Sequence, residues 1–153
     1  MNPNLYETDI VEWARENAAL LRSGALAAAD IAHIAEEIED LGNNWERALE
    51  SRLMQLLLHL LKLQCQPQYP GTRGWKVTVL NQRIELERLL RKAPSLLPKL
   101  EQKVSEVYPD SRKLAVVETG LDPNVFPANC PWTTELVMDQ GFLPGPADAG
   151  GQR

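Results

Sequence analysis

The chain has 153 residues, 44% hydrophobic and 24% charged, with a net charge of −5, a profile that excludes collagen-like, disordered and disulfide-scaffold classes and fits one domain with its own core. Cys65 and Cys130 lie far apart with no CxxC pairing, which predicts reduced thiols in a cytoplasmic protein. Met1 to Asn17 carry Glu7, Asp9, Glu12 and Glu16 and no signal-peptide pattern, and the apolar stretch Leu53–Leu63 is interrupted by Gln55, His59 and Lys62. A bilayer span needs about 20 mostly apolar residues, so no membrane association is expected.

In chain order, Asp9 followed by Glu12 marks a helix start, with a helix expected from Ile10 to Ser23 and a stop at Gly24. Asp30 reads as the N-cap of a second helix. From Ile31 through Ile34, Ile38, Leu41, Trp45, Leu49, Leu53, Leu56 and Leu60 to Leu63, apolar residues recur at spacings of three and four. At 100° per residue this stripe stays within about 120° of arc, so one long helix is expected over Ile31–Gln64, with Gly42 the place for any bend. Past Leu53 the pattern widens, because Met54, Leu57, Leu58 and Leu61 add apolar surface beside and opposite the stripe. A helix apolar all round is covered all round. Either the chain wraps it, or a second copy does, with Leu53, Met54, Leu57, Leu58 and Leu61 as the interface.

Pro67, Pro70, Gly71 and Gly74 close the long helix, and a third is expected from Trp75 to Lys92. Its apolar positions fall on two faces, Trp75, Val79, Leu86, Leu89 and Leu90 on one and Val77, Leu80 and Ile84 on another. A fourth follows Pro94-Ser95, with Ser95 as a cap and Pro109 expected to kink or divide it before Gly120. Pro123, Phe126, Pro127 and Pro131 describe an extended connection to a short helix near Thr133–Met138. Residues 144–153 are expected to fray. The fold class is therefore all-α, a single helical domain over 1–143. It is a bundle built on one long central helix, with about four further helices and an extended Pro-rich C-terminal segment.

Charge is unevenly placed. Residues 1–50 hold 11 acids and 3 bases, residues 51–153 hold 10 acids and 13 bases, an asymmetry that favours self-association or a partner of opposite field. The densest polar group is Asp30, His33, Glu36, Glu37, Glu39 and Asp40. Hard oxygen donors with one imidazole suit Mg²⁺ or Mn²⁺, and the acids look somewhat like the ExxE half of the all-α nucleoside triphosphate pyrophosphatases. The matching ExxD half has no counterpart, and a solvated helix face explains the same residues. His59, at the edge of the leucine stripe, reads as a core histidine with one hydrogen bond. The segment Arg73–Lys92 holds six bases against Glu85 and Glu87, which suits either a solvated face or phosphate contacts.

With these segments placed, the chain resembles the bacterial family called domain of unknown function 29 over about residues 5–143. The resemblance rests on Tyr6-Glu7-Thr8-Asp9 with Trp13, Ile34-Ala35-Glu36-Glu37-Ile38-Glu39-Asp40-Leu41-Gly42, Glu50-Ser51-Arg52-Leu53 leading to Leu57-Leu58-His59-Leu60-Leu61-Lys62, and Gln66-Pro67. It continues through Trp75, Pro94-Ser95-Leu96, Glu118-Thr119-Gly120-Leu121, Phe126-Pro127 and Cys130-Pro131-Trp132-Thr133. It implies a helical domain and carries over no catalytic or binding residue. The function expected is a protein–protein interaction module that self-associates, with no cofactor, and the enzyme question stays open. Two alternatives stand beside it: a metal-dependent hydrolase using Glu36, Glu37, Glu39, Asp40 and His33, and nucleic-acid binding by the Arg73–Lys92 helix.

Overall fold

A computed structural model describes residues 3–146; part of the tail expected to fray, from residue 147 on, lies outside them. Among the described residues the secondary structure is helical throughout, and the chain divides into two compact units at Asn44 and Trp45.

The first unit opens with a single turn, α1 (Leu5–Thr8), and then α2 (Ile10–Arg22). Asp9 caps α2 by accepting from the Glu12 backbone N–H at 3.0 Å, as the Asp9-x-x-Glu12 spacing predicts. Gly24, at φ 78°, turns the chain where a side chain would be strained. A 3₁₀ turn (Leu26–Ala28) leads to α3 (Ile31–Cys65). The buried side chains of this unit are Trp13 and Asn17. Asn17 binds both ends of its surroundings, donating to the Trp13 carbonyl at 3.0 Å and accepting from the Asp30 N–H at 2.8 Å.

The second unit takes the rest of α3, then α4 (Thr72–Lys92), a 3₁₀ segment (Pro94–Lys99), α5 (Leu100–Thr119), a 3₁₀ turn (Pro123–Val125) and α6 (Thr134–Met138). Helix α3 runs unbroken through Gly42, because the stripe keeps its phase and no proline interrupts the hydrogen-bond ladder. Leu53, Leu57, Leu58 and Leu61 are at most 1% exposed and belong to one core with residues of α4 and α5; Met54 packs against it partly buried. This corrects the interface expected there. The surplus apolar surface is taken up by the chain's own helices, which leaves these leucines nothing to offer a second copy.

Helix α5 passes through Pro109 without dividing, against expectation. The lost backbone bond and clash cost about 3 kcal/mol. Val104, Val107, Tyr108, Ser111 and Ala115 are buried on both sides of the proline, and their packing outweighs it. Ser111 Oγ lies 3.0 Å from the Met54 carbonyl and 3.1 Å from that of Val107, a seam between α3 and α5 that only a small side chain permits. The helix ends at Gly120, φ 71°. Ser95 makes no side-chain cap; two prolines hold that segment in a 3₁₀ form instead.

Candidate functional site

The polar residues at the start of α3 form a connected cluster. Asp30 Oδ2 accepts from His33 Nδ1 at 2.6 Å and from Trp13 Nε1 at 3.0 Å. Tyr6 stacks on the His33 ring with centroids 3.8 Å apart and donates its hydroxyl to Glu37 at 2.6 Å. The bond to His33 holds the Asp30 carboxyl below its usual range, and the same bond raises the His33 pKa. Glu37, through the hydrogen bond it accepts and its charge, pushes the Tyr6 phenol up to about 12. Each of these groups is engaged in fastening α1 and α2 to α3.

The predicted metal residues therefore separate. His33 is taken by Asp30 and Glu37 by Tyr6, while Glu36, Glu39 and Asp40 are exposed. Glu36 stands three and four residues from Glu39 and Asp40, near one side of the helix, while Glu37 lies about 100° further round, held by Tyr6. Among the described residues no group of three or more His, Cys, Asp or Glu could hold a metal ion.

The basic helix is also divided. Arg83 is 1% exposed and donates to the carbonyls of Val137 at 2.7 Å, Phe142 at 2.7 Å and Leu136 at 3.1 Å. It pins the C-terminal segment to α4 and offers nothing to phosphate. Lys92 sits over the Trp45 ring at 5.6 Å and Arg88 pairs with Glu85 at 3.3 Å. Sequence reasoning counted Arg83 with the surface bases. The signal that places it inside was available, since Val79, Arg83, Leu86 and Leu90 share one helix face.

His59 Nδ1–H donates to the Gln55 carbonyl at 2.7 Å, and burial lowers its pKa. Lys62, almost buried, reaches Glu118 at 2.9 Å and lies over Trp75 at 4.6 Å. Both cysteines are free, and burial raises both thiols, Cys65 to about 11, so neither is a poised thiolate. A cavity of about 490 Å³ lies beside Tyr108, Cys130 and Trp132, with Glu101 and Glu135 also on its wall.

What the molecule does present is apolar surface. In the first unit Ile10, Val11, Leu21, Leu26, Ile31, Ile38 and Leu41 are exposed, between 42 and 65%. On α4, Val77 and Leu80 are exposed too. No helix among the described residues is long and apolar enough to cross a membrane.

These features describe an all-α domain in which large apolar residues reach the surface on α2, α3, α4 and α5. The family model for the domain of unknown function DUF29 matches residues 5–143, and the chain belongs to that family. No curated protein and no solved structure matches the chain. Tyr6, Trp13 and Glu37, three of the residues that carry the resemblance, meet around His33 in the first unit.

Proposed function

We propose that the protein is a protein–protein interaction module that self-associates, working through the apolar face of its first unit. One observation carries this reading: among the described residues of that unit, seven large apolar side chains face solvent while only Trp13 and Asn17 are buried. A segment of about 40 residues cannot assemble a sufficient core by itself, and monomers rarely leave such apolar surface uncovered. The stripe on α3 makes the point locally. Leu49, Leu53, Leu56 and Leu60 are fully buried, and Ile31, Ile38 and Leu41, which continue the same stripe, are more than half exposed.

The test is purification of the tagged full chain, co-expressed with an untagged copy, beside an Ile38→Glu/Leu41→Glu double variant. Wild type is expected to retain the untagged copy in stoichiometric amount, and the variant to lose it. Equal recovery by both, or nothing bound by wild type, would refute the reading.

A further inference from the structure

The cavity of about 490 Å³ lies wholly within the second unit, with one wall from α5, where Glu101, Ser105 and Tyr108 share a helix face, and the other from residues 128–135. Its volume falls in the range of about 300–1,000 Å³ typical of small-molecule sites. Part of the wall is spent on the chain itself. The Tyr108 hydroxyl donates to the Pro127 carbonyl at 2.6 Å, the Cys130 thiol to the Trp132 carbonyl at 3.5 Å, and Thr133 Oγ1 accepts from the Leu136 N–H at 3.3 Å. The same wall carries the half-buried Trp132 and two carboxylates, Glu101 on α5 and Glu135 on α6. No Lys, Arg or His is among the described residues that line it.

These two carboxylates differ from the other acids of the unit. Glu46, Glu50, Glu85, Glu106, Asp110 and Glu118 each pair with a lysine or arginine. Glu87 accepts from Gln140, and Asp122 and Asp139 accept from backbone N–H groups. Among the described acids of the second unit, Glu101 and Glu135 alone have no such partner, and both stand on this cavity. A wall with two negative charges, no positive one and an indole suits a cation with an apolar body. An inorganic cation fits less well, because hard cations take six to eight oxygen ligands and an indole supplies none. Carboxylates on separate walls favour a charge at each end. We propose that this cavity binds a linear aliphatic diamine, one ammonium group at Glu101, the other at Glu135, and the methylene chain along Trp132.

Isothermal titration calorimetry of the full chain tests it with putrescine and cadaverine as diamines, butylamine as a single-ended amine and Mg²⁺ as an inorganic dication. Wild type is expected to bind one diamine saturably, and butylamine about tenfold more weakly, since one carboxylate then has no partner. Glu101→Gln and Glu135→Gln are each expected to weaken diamine binding by about tenfold. Both side chains are exposed, the substitution keeps their shape, and an unchanged urea midpoint without amine is the folding control. The butylamine and Mg²⁺ comparisons use wild type alone and do not depend on the variants. Four results would each overturn the proposal: no saturable binding of either diamine, butylamine binding as tightly as putrescine, diamine affinity unchanged in either variant, or Mg²⁺ binding as tightly as the diamines. The last would point instead to diffuse attraction of cations.

Discussion

Arg83→Met removes a guanidinium that holds three carbonyls while keeping most of the apolar stem, and its cost follows from where those carbonyls lie. The Val137 bond is buried, and an unsatisfied buried acceptor costs about 1–3 kcal/mol. The Leu136 and Phe142 carbonyls are part-buried and can regain water, so each loses only the net value of a bond, about 0.5–1.5 kcal/mol. Against this, burial depresses the guanidinium pKa, and removing a desolvated charge returns some of that cost. The expected loss is about 2–4 kcal/mol, read as a lower urea midpoint by far-ultraviolet circular dichroism. Arg83→Lys should recover little, because a point charge cannot fork to three oxygens. The effect is also local: amide exchange at residues 136–142 should rise well before that of α3. A loss below about 1 kcal/mol, or exchange at 136–142 that does not move, would refute the clamp.

Leu57→Ala, at a fully buried position, should cost about 2–5 kcal/mol, and by the same amount at every protein concentration, since the cavity is intramolecular; a cost that shrinks on concentration would restore Leu57 to an interface. Gly120→Ala places a Cβ at φ 71° and should lower stability by about 1–2 kcal/mol in urea unfolding; no change would mean that the α5 terminus relaxes freely. The two histidines should respond to pH with opposite signs. His33, raised by Asp30, contributes stability that is full below about pH 6.5 and lost as pH rises through its folded value, while the contribution of lowered Asp30 is full above about pH 4 and lost as pH falls through its depressed value. His59, lowered by burial, contributes fully above about pH 6.5 and loses its contribution as pH falls. Unfolding of wild type against His33→Gln and His59→Gln from pH 4 to 8 should therefore give difference curves of opposite slope, and parallel curves would contradict the assignment.

Local rules carried the helices because their causes are local. The caps at Asp9 and Asp30, the stop at Gly120 and the unbroken phase of α3 all act within a turn or two of the residue that signals them. What covers a face is a long-range fact. Leu57, Leu58 and Leu61 announce burial by their spacing, but periodicity cannot say whether the covering helix belongs to the same chain. Pro109 shows a local rule overruled, as buried Tyr108 and Ser111 tie both halves of α5 to one core. Arg83 hides for a related reason, its acceptors lying 53 to 59 residues away. The partners of two members of the acidic cluster were likewise out of reach of spacing along α3, since Glu37 is held from α1 and His33 from the turn before α3.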